Sequence, residues 1–332
     1  VGASRSTSPR CPSTHTRHTS EETHEDRMAA RPSSNCEHSP LVCIRFLSSQ
    51  IVLTELLLAV VFQRGNKPDM DLNLAEKVAI VGGGSKGLGR ACAEELAREG
   101  AKVVICSRTE ADLQQAASEI RESTGADVFV YAGDLDKYET IQDLVSETVN
   151  HFGQLDILVA NSGGPPLARA ATADEETWNI TVQRSLLFFA RMARESIPHM
   201  RTQGGGRIIN ILSSTVFQPI DNLALSGAAR MGVVAYSKSL SEELGPDNIL
   251  VNNVCPGAIL TDRMLGNTTA RANAQGISVE DALEARGQEA VLNRIGRPDE
   301  FSGLVAFLAS DRASYITGTT MLIDGGMVRS VL

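Results

Sequence analysis

From Lys77 onward, short apolar runs rich in Val and Ile alternate with longer segments whose apolar residues recur every three or four positions. The short runs predict strands at Val78–Val81, Lys102–Cys106, Asp127–Tyr131, Leu155–Ala160, Arg207–Leu212, Asn248–Val254 and Thr320–Ile323. The periodic segments predict helices: one opening near Leu88, Cys92 and Leu96, then Glu110–Glu122, Tyr138–Phe152, Asp174–Met200, Leu225–Leu244 and Pro298–Ala309. Strands apolar on both faces, each followed by a helix, imply a parallel sheet covered on both sides. Right-handed crossovers make such a sheet doubly wound. The expected fold is therefore α/β, a single doubly wound parallel β-sheet, and the absence of a linker after Met70 makes 70–332 one domain.

The first 69 residues break the pattern. Residues 1–40 are Ser-, Thr-, Pro-, Arg- and His-rich and hold too few large apolar residues to build a core. His15, His18, His24 and His38 fall there at irregular spacing, which reads as solvated side chains. The apolar run Ile51–Phe62 is shorter than the roughly 20 residues a membrane span needs. Lengthening it back to Leu41 brings in Arg45 and Glu55. Arg and Ser abound as in organellar targeting segments, whereas Glu21, Glu22, Glu25 and Asp26 run against that pattern. The simplest expectation is a disordered or artefactual N-terminal extension over 1–69, with the functional protein starting at Met70.

Composition narrows the class. A net charge of −9 without a basic stripe argues against nucleic acid as a partner. Six cysteines without a CxxC spacing, with Cys92, Cys106 and Cys255 in core-type segments, fit reduced thiols and a cytoplasmic location. No residue grouping speaks for a metal, and none for a membrane partner.

The chemistry gathers at the C-terminal ends of the predicted strands, where ligands of such sheets bind. Between the first strand and helix, Gly83, Ser85, Lys86, Gly87, Leu88 and Gly89 form a glycine turn with G-x3-G-x-G spacing. A helix N-terminus carries about half a unit of positive charge on unpaired N–H groups, so a turn placed there suits a phosphate. The alternative is a glycine turn without a ligand. Where NAD-binding sheets carry an acid at the end of the second strand, this chain has Ser107 and Arg108. The Arg108 fork suits a ribose 2′-phosphate and Lys86 adds a second cation, which predicts NADP(H) over NAD(H). The alternative is two solvated cations.

From about Leu72 onward the chain resembles the short-chain dehydrogenase/reductase family, in particular its 3-oxoacyl-[acyl-carrier-protein] reductase-like branch. The family's TGxxxGxG turn corresponds to Gly82-Gly83-x3-Gly87-x-Gly89, and its NNAG to Ala160-Asn161-Ser162-Gly163. Asn252 with Cys255-Pro256-Gly257 and Thr261 corresponds to its N-x-V-x-PG-x-x-x-T segment. The run from Gly296-Arg297-Pro298 through Ile316-Thr317-Gly318 to Asp324-Gly325-Gly326 follows it as well. The resemblance implies a Rossmann-type fold, adenine contacts from Asp134 and Leu135, cofactor contacts from Asn161 and Gly163, and nicotinamide-side contacts from Pro256, Gly257 and Thr261. It also implies a lid over the substrate between Asp262 and Arg294, in which Ser278 caps a helix at Val279–Ala290. A homo-oligomer, dimer or tetramer, is expected on the same ground.

The resemblance fails at the catalytic set. The family uses Ser, Tyr-x3-Lys and a helper Asn; here Ser213 matches the first, while Ser226, Arg230 and Ser185 occupy the positions of the other three. A serine hydroxyl is a far weaker acid than a phenol of pKa about 10. Arg230 can clamp a ribose but cannot relay a proton. Losing a positioned general acid costs about 100- to 10,000-fold, which hydride transfer from an oriented nicotinamide can survive. Two functions stand: an NADP(H)-dependent oxidoreductase of a small carbonyl or secondary alcohol with water as the proton carrier, or a non-catalytic NADP(H)-binding subunit or sensor.

Overall fold

The computed structural model describes residues 71–331. The expectations for residues 1–69, and Met70 itself, lie outside the described residues. Seven strands form one sheet: β1 (Val78–Gly82), β2 (Lys102–Ser107), β3 (Val128–Ala132), β4 (Ile157–Ala160), β5 (Gly206–Ile211), β6 (Ile249–Pro256) and β7 (Thr320–Ile323). Their spatial order is β3-β2-β1-β4-β5-β6-β7, and every pairing is parallel. The chain thus winds outward one way from β1 and, after crossing to β4, outward the other way. The crevice at that reversal is where doubly wound sheets take ligands.

Both faces of the sheet are covered, for the reason visible in the strand sequences. Ala79 and Val81 of β1 with Val103 and Ile105 of β2 point to one core, and Ile80 with Val104 and Cys106 to the other. The first face is packed by α1 (Gly87–Arg98), α2 (Glu110–Thr124) and α9 (Pro298–Ala309), through Cys92, Leu96, Ile120, Phe301 and Val305. The opposite face is packed by α3 (Tyr138–Phe152), α5 (Phe188–Thr202) and α6 (Ala224–Leu244). Phe188 and Phe189 are among its largest fully buried side chains, and truncating either to Ala costs about 3–5 kcal/mol.

Three local features depart from the expected pattern. The single helix expected over Asp174–Met200 is α4 (Glu175–Val182), a π-helical turn at Gln183–Leu187, and then α5. Asp174 opens it by accepting a hydrogen bond from the Thr177 N–H at 2.8 Å. The lid segment holds two helices, α7 (Asp262–Gln275) and α8 (Val279–Gln288), where one was expected. Helix α7 buries only Thr268 and Ala272, so it lacks the apolar stripe that marks core-facing helices. The sixth strand runs to Pro256, two residues beyond the expected end, because β7 pairs with its last four residues.

Candidate active site

The glycine turn is closed by backbone proximity. A Cβ on Gly89 would stand 2.3 Å from the Gly83 carbonyl oxygen, and one on Gly82 would stand 2.6 Å from the Asn161 carbonyl oxygen. Gly83 has φ +61°, a left-handed conformation that glycine takes without strain. Asn161, at the end of β4, donates from Nδ2 to the Gly82 carbonyl at 3.0 Å and so ties the two central strand ends together. This arrangement leaves the N-terminus of α1 bare of side chains, and its Ncap, Lys86, makes no capping hydrogen bond. The donors there are free for an anion.

At the end of β2, Ser107 Oγ is buried without a hydrogen-bond partner. The adjacent Arg108 is exposed, and none of the described residues pairs with it. Lys86 is 3.8 Å from Asp112, a loose and exposed ion pair. The Ser107 hydroxyl and the Arg108 guanidinium thus both keep donors that no group among the described residues takes up. Beyond β3, Asp134 turns the chain, its Oδ1 accepting from the Asp136 N–H at 3.2 Å, and Leu135 packs on the adjoining core. These groups line one side of the crevice.

The other side is built from β5, α6 and the lid. Ser213 follows β5, half-buried, its Oγ accepting from the Thr215 N–H at 3.2 Å in a serine cap. Ser226 and Arg230 lie one turn apart on α6, each 5 % exposed. Arg230 donates from Nε to Ser226 Oγ at 3.3 Å and from Nη1 to the Ile211 carbonyl at 3.0 Å. The guanidinium lies 5.8 Å over the Phe189 ring. Burial, and then the charge of Arg263, lower the Arg230 pKa to about 10. Burial pushes the Cys255 thiol up to about 12, against the opposing pull of the Ser213 main chain and of Arg230. Ser185 is fully buried inside the π-helical turn, its Oγ without a partner. Inserted turns of this kind re-aim side chains and recur at functional sites.

Helix α7 borders the arrangement. Thr261 caps α7, its Oγ1 accepting from the Met264 N–H at 3.2 Å, which leaves the hydroxyl proton to donate. A methyl on Gly87 would lie 3.5 Å from Thr261 Cγ2, so the lid begins against the glycine turn. Gly257, after Pro256, is pinned by its N–H donating to the Ile323 carbonyl at 2.9 Å, and a Cβ there would meet Asp324 at 2.5 Å. Gly163 has open space around its Cα. Two arginines join this group that the sequence patterns did not single out. Arg263 of α7 donates to the Pro165 carbonyl at 3.3 Å, and Arg184 of the π-helical turn pairs with Asp136 at 2.7 Å. Their signal was long-range, because each is an ordinary polar residue within its own helix.

A crevice at the β1–β4 reversal, a glycine-closed helix N-terminus on one side and a Ser–Ser–Arg cluster on the other describe a dinucleotide-dependent α/β enzyme scaffold. Residues 83–328 match the family model described as enoyl-(acyl carrier protein) reductase. The rabbit (Oryctolagus cuniculus) dehydrogenase/reductase SDR family member 4 is 33 % identical over 254 residues, 76 % of this chain and 94 % of that protein. The 7alpha-hydroxysteroid dehydrogenase of Bacteroides fragilis is 32 % identical over 254 residues, with the same two coverages, 76 % and 94 %. Among solved structures, L-sorbose reductase of Gluconobacter frateurii, complexed with NADPH and L-sorbose, superposes with a TM-score of 0.76. It is 32 % identical and spans 79 % of this chain and 100 % of its own. The F189W actinorhodin polyketide ketoreductase with NADPH gives a TM-score of 0.73 at 30 % identity, spanning 76 % of this chain and 98 % of its own. The chain belongs to the short-chain dehydrogenase/reductase family of oxidoreductases. Among the described residues there is no helix long and apolar enough to cross a membrane and no cluster suited to a metal ion.

Proposed function

We propose that the protein is an NADP(H)-dependent oxidoreductase acting on a carbonyl, 3-oxoacyl-like or another ketone, or in reverse on a secondary alcohol. The observation that carries the cofactor choice is the pairing of the orphaned Ser107 hydroxyl with the unpaired Arg108 at the end of β2. Both fit a 2′-phosphate, and the solved relatives described above were crystallised with NADPH. When bound, the cofactor supplies or accepts the hydride. The glycine turn with Ser85, Lys86 and Leu88 holds the pyrophosphate, and Asp134 with Leu135 the adenine. Asn161, Gly163, Pro256, Gly257 and Thr261 hold the nicotinamide side.

The chain's own residues divide the remaining work. The half-buried Ser213 hydroxyl orients the substrate oxygen. Ser226 already accepts from Arg230 Nε, so its own proton is free to donate to a water at the reacting oxygen. Arg230 fixes the ribose, and its pKa of about 10 keeps it protonated at neutral pH. Ser185, unpartnered in the π-helical turn, holds the water that returns the proton. The buried free thiols Cys92, Cys106 and Cys255 suit a reducing, cytoplasmic setting. Assembly as a dimer or tetramer would use the apolar-and-arginine groove of about 690 Å³ between α5 and α6, lined by Leu187, Arg194, Tyr236 and Leu240. That groove lies outside the crevice.

The test is single-turnover oxidation of bound NADPH, followed by absorbance, against ketones, aldehydes, 3-oxoacyl and enoyl thioesters, with Ser213→Ala and Arg230→Ala in parallel. Turnover that is lost in both variants, with cofactor binding retained in Ser213→Ala, is expected. Tight NADPH binding with no oxidation of any compound would favour the non-catalytic subunit instead.

A further inference from the structure

Two guanidinium groups at the crevice have no counter-charge. Arg230 is 5 % exposed, and its hydrogen bonds go to a hydroxyl and a carbonyl. Arg263 reaches from the first turn of the lid across the mouth to the loop after β4 and donates to the Pro165 carbonyl at 3.3 Å. Among the described residues neither forms an ion pair with a carboxylate. The one acid engaged nearby, Asp136, is held by Arg184 Nε at 2.7 Å, so that pair adds no negative charge to spare. Ser162 Oγ donates to the Arg184 carbonyl at 2.9 Å, which fastens the π-helical turn to the same loop that Arg263 touches. The groups also sense each other: Arg263 depresses Arg230, and Arg184 depresses Arg263, on top of desolvation.

The Arg263 side chain has a prepared bed. A Cβ on Gly164 would stand 2.5 Å from Nη2 and 2.9 Å from both Cζ and Nη1, so the planar group lies on bare glycine backbone. Any side chain at position 164 would expel it. Buried or crowded charges are ordinarily paired, and like charges are ordinarily kept apart. Here three guanidinium groups are gathered with a single paired acid, Asp136, between the loop after β4, the π-helical turn and the first turn of α7. A ligand anion seated between them would pair with Arg230, the buried member, and with Arg263, which solvent also reaches.

The geometry points to an oxyanion subsite, Arg263 reinforced by Arg230, that selects carbonyl substrates carrying a carboxylate or a phosphate close to the reacting carbon. The inference rests on the oxidoreductase reading given above. A guanidinium fork matches either oxyanion with two parallel hydrogen bonds, and Lys would supply only a point charge.

The test titrates the full chain, saturated with NADP⁺ so that no ketone can be reduced, by calorimetry. Two matched pairs are used: acetoacetate against methyl acetoacetate, and dihydroxyacetone phosphate against dihydroxyacetone. Charge-assisted hydrogen bonds predict that the anion of at least one pair binds about 10- to 100-fold tighter than its neutral partner. A preference in the first pair assigns carboxylates, and in the second phosphates. The preference should drop below about threefold in Arg263→Met, recover in part in Arg263→Lys, and weaken when salt is raised about tenfold. NADP⁺ affinity should stay within about threefold in both variants, which also checks that they fold. No preference in either pair, a preference surviving Arg263→Met, or a loss of NADP⁺ binding in that variant with its fold intact by circular dichroism would overturn the subsite. Selective anion binding without any later NADPH oxidation would leave the subsite standing and defeat the oxidoreductase reading. Equal NADPH oxidation with anion and neutral partner would do the reverse.

Discussion

Replacing a buried arginine usually unfolds a protein, and Arg230→Met should not. The side chain is 5 % exposed and its pKa is lowered to about 10, first by burial and then by Arg263. At about 1.4 kcal/mol per pKa unit, keeping the charge in place costs the folded state about 3 kcal/mol. Methionine removes that cost and keeps most of the stem against Phe189. It orphans the Ile211 carbonyl, at about 1–3 kcal/mol, and forfeits a cation–π contact of about 0.5–1 kcal/mol. The opposing quantities nearly cancel. Urea unfolding of cofactor-free protein at fixed concentration should place the variant within about 1 kcal/mol of the parent, a melting shift below roughly 4 °C. NADPH affinity and turnover should meanwhile collapse. The pH dependence has a definite sign. Because the folded pKa lies below the unfolded one, the parent carries the whole cost below about pH 10 and sheds it as pH climbs past that value. The parent should therefore gain on the variant between pH 9 and 11. A variant destabilised by more than about 3 kcal/mol at neutral pH would refute the reasoning and make Arg230 a structural residue.

Arg108→Asp should reverse the dinucleotide preference, costing NADPH about 10- to 100-fold in affinity while NADH gains; fluorescence titration with both would settle it, and an unchanged ratio would remove Arg108 from the site. Gly89→Ala drives a methyl to 2.3 Å from the Gly83 carbonyl, so it should cost about 1–3 kcal/mol of stability and most cofactor binding, read by melting with and without NADPH. Cys106 and Cys255 are buried, with thiols raised to about 12, so neither should react with a maleimide at pH 8 in the folded protein while both do in urea. Labelling of either in the native state on a timescale of minutes would contradict the packing.

The elements that pack against the core were legible because their residues carry the period of the element. Pro298–Ala309 was bounded correctly by its N-terminal proline and its run of buried apolar positions. The β-branched runs of β1 and β2 marked strands buried on both faces. Helix α7 was missed for the complementary reason: it covers a cleft, so Gly266, Thr268 and Ala272 stand where a core helix would have leucines. The π-helical turn at Gln183–Leu187 interrupts no periodicity strong enough to show it. The glycine turn showed in its spacing, and Ser213, Ser226 and Arg230 were singled out by resemblance to the family; Ser226 and Arg230 share one face of α6. The approach of Arg263 to Gly164 could not, since the two lie 99 positions apart in the chain and meet only once the lid is placed.

The cap of α7 ties two parts of the crevice together. Thr261 sits in contact range of the Gly87 position, and two residues later Arg263 spans the mouth. A dinucleotide seated on the glycine turn would therefore touch the cap of the same helix that carries Arg263. Binding steps that share one moving part are linked, each altering the affinity of the other by the same factor. Helix α7 is thus the element through which each ligand would register the presence of the other.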